Sequence, residues 1–292
     1  MKVLVLADLH LDEYHIAEAK LQLGREIRCA AQAARAVIIA GDLCEVSSER
    51  WDPALKWLRD LVPDRPIHVI PGNHDYYGQH MGEAERTMSR ICQQNGCEFA
   101  QQSEFLIGGT RFLAATLWTD FGLFRATAGA EATGRAMRIA REKMPDYGYG
   151  SITTGNPERS LRPRDTATIH AMHLAWLKGR LGTCHEGPTV VVTHHAPSIA
   201  VCGPLSERSP CYASDLDALI DETRPEAWIF GHTHREAELR APGGTLMRNV
   251  SVGSEAEITP EPMRRRVRAG ILDLEHLGSA PADPSAPGDP SP

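Results

Sequence analysis

Side chains that can bind metal ions recur at five places along the chain, each where an apolar run ends. They are Asp8 with His10, Asp42, Asn73 with His74, His194 with His195, and His232 with His234. Each place alone has an ordinary explanation, because Asp and Asn are common at helix caps and in turns. Five independent strand ends of this kind would be a rare accident, so we interpret the set as one metal site.

The ligand types indicate how many ions this site holds. Two carboxylates, one amide oxygen and four imidazoles are too many ligands for one metal, whereas they fit two metals that share an aspartate. Such mixed ligands favour ions of intermediate hardness, namely Mn²⁺, Fe²⁺ or Fe³⁺, Zn²⁺ or Ni²⁺. His170 and His173 are also spaced for a metal on a predicted helix, but histidines placed this way more often pack at the edge of a core.

The apolar runs before these residues are strand-sized and alternate with helical segments. β-Branched runs that stop at Gly, Pro or Asp are typical of buried strands. Strands that alternate with helices form an α/β sheet, and ligands bind at the carboxyl ends of its strands. The predicted strands cover residues 2–7, 36–40, 67–70, 189–193 and 227–230.

The remaining periodic segments complete the predicted element order. Helices are expected at residues 16–34, 51–61, 83–95, 166–181 and 214–222. Hairpins are expected from 105–107 to 111–115 and from 237–240 to 245–252, and an antiparallel closing strand at 266–274.

Residues 118–165 lack a clear period and carry eight Lys and Arg against six Asp and Glu. A long irregular segment is typical of a lid or binding loop, and a solvated insertion is an equal alternative. Residues 278–292 are rich in Pro, Ser, Ala and Gly, a composition that predicts a disordered tail. We therefore expect one catalytic domain over residues 1–277.

The composition excludes several classes of protein. A net charge of −7 disfavours stable binding to nucleic acid, whose affinity depends on Lys and Arg. The apolar runs are far shorter than the ~18 residues of a membrane-spanning helix. The seven cysteines are odd in number and form no CxxC pair, and no signal peptide precedes the first strand. These features predict reduced thiols and a cytoplasmic location.

The five places resemble, in order, the motifs of the calcineurin-like metallophosphoesterase superfamily. These motifs are DxH at residues 8–10, GDxx at 41–44, GNH[DE] at 72–75, a late His at 194, and GHxH at 231–234. The resemblance covers most of the chain. It implies a four-layer αββα sandwich in which two mixed β-sheets are flanked by helices.

The resemblance also implies a role for each residue. The first metal would be held by Asp8, His10, Asp42 and His234, and the second by Asp42, Asn73, His194 and His232, with Asp42 bridging. His194 is preferred to His195 because it directly follows the strand, at the position of the family's ligand. His74 would be catalytic, neutralising a phosphate oxygen and assisting the leaving group as a general acid.

The implied reaction is hydrolysis of a phosphate ester by a metal-activated hydroxide. Two divalent ions can clamp a phosphoryl group and lower the pKa of bound water from ~15.7 to ~7. The Asp-Arg-Gly sequence of serine/threonine phosphatases is absent after Asp42, and Glu45 stands where purple acid phosphatases have a metal-binding Tyr. The chain therefore most resembles small bacterial phosphodiesterases.

The expected substrate is a phosphate-ester small molecule, such as a nucleotide or cyclic nucleotide. A phosphomonoesterase or a nuclease using the same site is the alternative among enzymes. A non-catalytic, metal-binding scaffold for protein interaction is the alternative from another class, and the complete set of ligands disfavours it.

Overall fold

The computed structural model describes residues 1–148 and 151–277. The predicted C-terminal tail, residues 278–292, lies outside the described residues. Within the described part of the chain, no helix is both long and apolar enough to cross a membrane.

The strands of the described residues form two large sheets and one small sheet. In chain order they are β1 (Lys2–Leu6), β2 (Ala34–Ala40), β3 (Ile67–Ile70), β4 (Gln79–His80), β5 (Glu98–Phe99), β6 (Ser103–Ile107), β7 (Thr110–Ala115), β8 (Ile152–Thr154), β9 (Arg159–Ser160), β10 (Thr189–Thr193), β11 (Ala227–Phe230), β12 (Glu238–Arg240), β13 (Leu246–Asn249) and β14 (Ile271–Asp273). The helices are α1 (Ala17–Ala31), α2 (Ser47–Leu61), α3 (Met81–Gln94), α4 (Arg125–Ala128), α5 (Glu131–Lys143), α6 (Pro163–Leu181), α7 (Asp217–Thr223) and α8 (Pro260–Ala269).

The two large sheets are mixed. The first has the order β14-β1-β2-β3-β5, with β14 antiparallel to β1 and the other pairs parallel. The second has the order β12-β13-β11-β10-β7-β6, with antiparallel pairs only at its two edges. The small sheet has the order β4-β8-β9. Both predicted hairpins are confirmed as β6 with β7 and β12 with β13.

The sheets stack face to face between two helical layers. Successive side chains of a strand point to opposite faces, so Val3 and Val5 of β1 pack between the sheets, together with Val190 and Val192 of β10. Leu4, on the other face of β1, packs with helices α1, α2, α3 and α8. The outer face of the second sheet packs against α6 and α7. The predicted four-layer αββα sandwich is confirmed.

Two predicted segments have a different structure, and the short strands β4 and β5 were not predicted. In the predicted closing strand at 266–274, residues 266–269 instead belong to helix α8. Residues 271–273 form β14, which is antiparallel to β1 as predicted. Pro260 suits the first turn of a helix, and Met263 and Val267, four residues apart, bury one face of it. In the segment predicted as irregular, α5 buries Ala132, Ala136 and Ala140 with the same spacing.

The register of the parallel strands positions the functional residues. Leu6 pairs with Ile39 in the first sheet, and Ala40 pairs with Ile70. In the second sheet, Val192 pairs with Ile229. Strands aligned in this way end at nearly the same level, so the residues that follow them meet at one edge of the sandwich.

Candidate dinuclear metal centre

The predicted ligands of the first metal lie together at this edge. Asp8, His10 and His234 each offer a ligand atom, and these atoms lie within 4.8 Å of one another. The Nε2 atom of His234 lies 3.3 Å from Asp8 Oδ1 and 3.2 Å from His10 Nε2. The three residues come from the ends of β1 and β11, so the site joins the two sheets.

A second cluster adjoins the first. Asp42, His194 and His232 also place ligand atoms within 4.8 Å of one another. His194 Nε2 lies 3.3 Å from Asp42 Oδ2 and 3.0 Å from Asn73 Oδ1. Asp42 Oδ2 is also 3.9 Å from His10 Nε2, in the first cluster. Asp42 is thus a member of the second cluster that also adjoins the first, as a bridging carboxylate would.

The backbone at these strand ends adopts an uncommon conformation. Asp8, His10, Asp42, His232 and His234 all have positive φ angles, between 40° and 67°. Residues other than Gly seldom occupy this left-handed region, and such strain clusters at functional sites. Five strained residues in one group therefore support a binding function for the group.

The histidine tautomers suit cation binding. His194 Nδ1 lies 3.0 Å from the carbonyl oxygen of Ala40, which can only accept, so Nδ1 carries the proton. A neutral His194 then directs the lone pair of Nε2 at the oxygens of Asp42 and Asn73. Acceptors facing one another are stable only with a cation or a proton between them. Burial disfavours the imidazolium, yet Asp42 raises the pKa of His194 to about 9, so in the chain by itself a proton can fill this place. A bound cation would take the place of that proton.

His232 supplies a further sign of a bound cation. Its backbone N–H donates a hydrogen bond to the Asp8 carboxylate at 2.9 Å, and this bond holds the start of the loop that follows β11. Its Nε2 atom is buried and has no hydrogen-bond partner in the described part of the chain. Buried polar atoms normally have partners. The oxygen and nitrogen donors of the two clusters, with this orphaned nitrogen, fit two divalent transition-metal ions.

Two glycines allow the loops to approach this closely. A Cβ atom on Gly72 would overlap the Asp42 side chain and lie 2.7 Å from His194 Cε1. A Cβ atom on Gly41 would overlap the His194 ring and lie 2.9 Å from Gly72 Cα. Neither position accommodates a side chain without moving a predicted ligand.

Asp75 holds two ligand loops together. Its carboxylate accepts from the backbone N–H groups of Gly72 at 2.8 Å and Asp42 at 2.9 Å. It also accepts from Trp51 Nε1 at 2.6 Å. Burial and the nearby Asp42 charge raise the pKa of Asp75 to about 7. Asp75 is not among the predicted ligands, and its contacts are those of a residue that holds the two loops in place.

His74 faces the cavity beside the two clusters. Its backbone N–H donates to Asp42 Oδ1 at 2.9 Å, and its Nδ1 atom lies 3.2 Å from Glu45 Oε1. Its ring lies 4.6 Å from the ring of Tyr77. Burial disfavours the imidazolium, but Asp42 and Glu45 outweigh it and raise the pKa of His74 to about 9. Divalent cations nearby would oppose this rise, because like charges repel.

A cavity of about 530 Å³ opens over the centre. Its floor includes Asp42, Asn73, His74, His232 and His234. Met144 and Pro145, at the end of α5, form part of one wall. The loop at residues 202–212, which we call the cavity loop, forms another part of the wall. The residues of this loop that line the cavity are Cys202, Pro204, Leu205, Ser206, Arg208, Ser209 and Tyr212.

Other candidate histidines lie outside the two clusters. His195 Nδ1 lies 3.3 Å from the carbonyl oxygen of Thr116, and its ring packs beside Trp118. His170 and His173 are buried on α6, and neither belongs to a group of metal-binding side chains among the described residues. The structure therefore places His194 among the clustered ligand atoms, whereas the His195 ring packs 4.2 Å from the His232 ring without joining either cluster.

Two acidic residues at the centre were not found from the sequence. Glu257 lies 2.6 Å from His234 Nδ1, and Asp146 lies 2.7 Å from Asn73 Nδ2. Neither residue follows a predicted strand or belongs to a spaced motif. A carboxylate next to a metal-binding histidine is a common pairing, but nothing in the sequence says which carboxylate supplies it.

Comparison with known proteins identifies a family for the sequence and relatives that share its fold. The sequence model of the calcineurin-like phosphoesterase family matches residues 1–236. Phosphopantetheinyl hydrolase from Mycobacterium tuberculosis superposes with a TM-score of 0.63 at 18% identity, covering 98% of each chain. A dimetal phosphatase from Danio rerio superposes with a TM-score of 0.53 at 14% identity, covering 89% of this chain and 90% of its own. At these identities the likeness shows a shared fold. No curated protein sequence matches.

Proposed function

The chain belongs to the calcineurin-like phosphoesterase family, and we propose that it hydrolyses phosphodiesters at a centre of two transition-metal ions. The family match supports a metal-dependent phosphoester hydrolase. Our proposal goes beyond the family match in two points, which are the preference for diesters and the role of each residue. The observation that carries the dinuclear centre is that Asp42, a member of one three-residue cluster, also lies 3.9 Å from His10 of the other.

We assign each side chain to the ion it would contact. Asp8, His10 and His234 would hold the first ion, Asn73, His194 and His232 the second, and Asp42 both. When bound, the two ions supply Lewis acidity and a water whose pKa falls to near neutrality. The donors suit Mn²⁺, iron, Zn²⁺ or Ni²⁺.

His74 is the catalytic residue of the proposal. It lines the cavity next to the centre, and its Nδ1 atom is held by Glu45, so Nε2 is the atom free to meet a substrate. In its protonated form His74 can neutralise a phosphoryl oxygen or give its Nε2 proton to the leaving alcohol. A positioned general acid contributes roughly 10²–10⁴-fold to a rate.

The shape of the cavity supports a substrate with an organic group beyond the phosphate. A volume of about 530 Å³ is that of a small-molecule site. Leu205, Met144 and Pro145 give its wall apolar surface, and Arg208 and Arg235 give it positive charge. Neither arginine has a carboxylate within 4.0 Å among the described residues. An anionic diester with a partly apolar substituent matches this lining.

One structural relative suggests a substrate class for testing. The Mycobacterium tuberculosis protein is named as a phosphopantetheinyl hydrolase. A phosphopantetheinyl group attached to an alcohol is a phosphodiester with a long, uncharged arm. We therefore propose that alcohol esters of phosphopantetheine, nucleotides and cyclic nucleotides form one panel of candidate substrates.

The decisive experiment uses metal-free protein reconstituted with Mn²⁺. We expect hydrolysis of bis(p-nitrophenyl) phosphate to exceed that of p-nitrophenyl phosphate. On a diester of the panel with an alkyl alcohol as leaving group, which needs a proton, we expect His74→Ala to lose about 10²–10⁴-fold in kcat. Higher activity on the monoester would instead indicate a phosphomonoesterase. Two bound ions without hydrolysis of any ester in the panel would overturn the proposal and favour a scaffold. Unchanged turnover in His74→Ala would remove the role of His74.

The cysteines bear on the compartment in which this reaction takes place. All seven are unpaired in the structure. Disulfides form and persist in oxidising compartments. Seven free thiols therefore support a reducing, cytoplasmic environment as part of the proposal.

A further inference from the structure

Asp146 connects the segment at residues 118–165 to the metal centre. It lies in a short turn, Pro145–Tyr147, that follows α5. Its side chain is only 3% exposed and points at Asn73, which is 2% exposed. Asn73 Nδ2 donates a hydrogen bond to Asp146 Oδ1 at 2.7 Å, and the Tyr77 hydroxyl donates a hydrogen bond to the same oxygen at 3.4 Å.

This contact determines which end of the Asn73 amide faces the metals. An amide has one oxygen, which can bind a cation, and one NH₂ group, which cannot. The Asp146 carboxylate accepts hydrogen bonds, so it holds the NH₂ group on its own side. Asn73 Oδ1 is thereby left beside His194 Nε2, at 3.0 Å. A flipped amide would place two buried acceptors against each other.

The position of Asp146 is set by packing that does not involve the metals. Tyr147, the next residue, shares a hydrogen bond of 2.8 Å with Thr166 on α6. Ala136 and Ala140 of α5 are buried in a small cluster with Phe121. Packing that involves none of the proposed ligands thus holds the Asp146 carboxylate beside Asn73.

We propose that Asp146 is a positioning residue that orients Asn73 as a ligand of the second metal ion. The inference rests on the proposed dinuclear centre and adds to it a residue that orients one of the ligands. A hydrogen bond from a ligating amide to a carboxylate also shifts electron density toward the amide oxygen and strengthens it as a ligand. Through Asp146, the described part of the segment at 118–165 then supports the metal centre, and its residues Met144 and Pro145 also line the cavity.

The test measures the affinity of each site for Mn²⁺ in the full-length protein. Metal-free wild type, Asp146→Ala and Asp146→Asn are titrated with Mn²⁺ by calorimetry, with protein-bound metal counted by atomic emission. We expect Asp146→Ala to weaken one of two sites about 10–100-fold and to leave the other within twofold of wild type. Asp146→Asn keeps an acceptor oxygen for Asn73, so we expect it to recover part of the loss.

Electron paramagnetic resonance adds a signature that a general loss of stability would not give. With two equivalents of Mn²⁺, the wild type should show the spectrum of a coupled pair, and Asp146→Ala should show a single, uncoupled ion. Glu142→Ala is the matched control, because it removes an exposed carboxylate from α5. Circular dichroism and thermal melting check the fold of each variant. If Asp146→Ala does not fold, the metal affinities of Asp146→Asn are compared with those of the wild type instead.

The outcomes separate this inference from the proposed function. Two Mn²⁺ sites of wild-type affinity in Asp146→Ala would overturn the inference, whatever the wild type hydrolyses. Two bound ions with no ester hydrolysis in the wild type would overturn the proposed function, while the affinities would still decide the role of Asp146. A wild type that binds fewer than two ions would overturn the inference together with its premise.

Discussion

Glu257 accepts a hydrogen bond from His234 Nδ1 at 2.6 Å, across 23 residues of sequence. The carboxylate fixes the tautomer, so His234 Nε2 is directed at Asp8 and His10. Glu257 is itself held by the backbone N–H of Ser254 at 3.2 Å. The pair has the arrangement in which a carboxylate orients a metal-binding histidine and makes it more basic.

Removal of Glu257 should therefore weaken the first metal site. We expect Glu257→Ala to lower the affinity of one Mn²⁺ about 10–100-fold, because His234 loses its orientation and its negative partner. Calorimetric titration of the metal-free protein measures this change. Glu261→Ala is the control, since Glu261 is an exposed carboxylate on α8. Equal affinities in Glu257→Ala and the wild type would refute the role of Glu257.

Gly72 should tolerate no side chain, because a Cβ there would overlap Asp42 and lie 2.7 Å from His194. Overpacking of this kind costs about 1–3 kcal/mol. We expect Gly72→Ala to lose that amount in urea denaturation and to bind fewer than two Mn²⁺ ions. If Gly72→Ala binds two ions as tightly as the wild type, the close approach of the loops is not needed for the centre.

Gly134→Ala provides the matched comparison. Gly134 lies inside α5, and a Cβ there meets no atom within 4 Å. Gly costs about 0.5–1 kcal/mol relative to Ala inside a helix, so this variant should be more stable than the wild type by that amount. Its metal binding should be unchanged.

The strand-end ligands were accessible to sequence reasoning because each directly follows its own strand. Asp42 comes two residues after Ala40, and His194 directly after Thr193, so a local pattern locates them. Glu257 and Asp146 lie 23 and 73 residues from their partners, and only the folded chain brings these pairs together. The positive φ angles of the ligands were also not predicted, since Asp and His are not residues that require them.

The strength of the local apolar pattern explains which elements of the fold were predicted correctly and which were not. Strands β3, β10 and β11 have the predicted bounds because their apolar runs stop at Pro71, His194 and Gly231. Helix α8 was missed because charged residues surround its two buried positions, Met263 and Val267. Helix α5 was missed because small alanines form its buried face, and they give a weak apolar signal.

Arg208 and Arg235 should contribute to substrate binding and little to the chemical step. Both line the cavity, and neither belongs to the two metal-binding clusters. Replacing both by Gln should raise the KM for a diester that carries a second anionic group, by up to about fivefold for each exposed ion pair lost. The kcat should change less, because neither side chain is assigned to the metals or to the leaving group.

A matched pair of substrates isolates this effect. Thymidine 5'-(p-nitrophenyl phosphate) is compared with the same ester that carries a 3'-phosphate. The double variant should lose affinity mainly for the 3'-phosphorylated ester, and Arg138→Gln, on the exposed face of α5, should lose it for neither. If the double variant discriminates between the two esters as the wild type does, the arginines do not bind the substrate.

His173 should make the folded protein sensitive to acid. It is 3% exposed on α6, its Nδ1 atom has no partner among the described residues, and burial lowers its pKa to about 4. In the unfolded chain its pKa is near 6.5. Between pH 6.5 and 4 the unfolded state therefore binds the additional proton, and the free energy of unfolding falls as the pH falls.

His173→Leu should reduce this loss, because leucine has no proton to bind and fills a similar space. Urea denaturation of the metal-free protein at pH 7.5, 6.5, 5.5 and 4.5 gives the pH slope of the free energy of unfolding. The slope should be smaller in His173→Leu than in the wild type below pH 6.5, and equal above it. Met172→Leu, at an exposed position of the same helix, should keep the wild-type slope, because neither side chain binds a proton. If the slopes of wild type and His173→Leu coincide down to pH 4.5, then burial of His173 is not a source of the acid sensitivity.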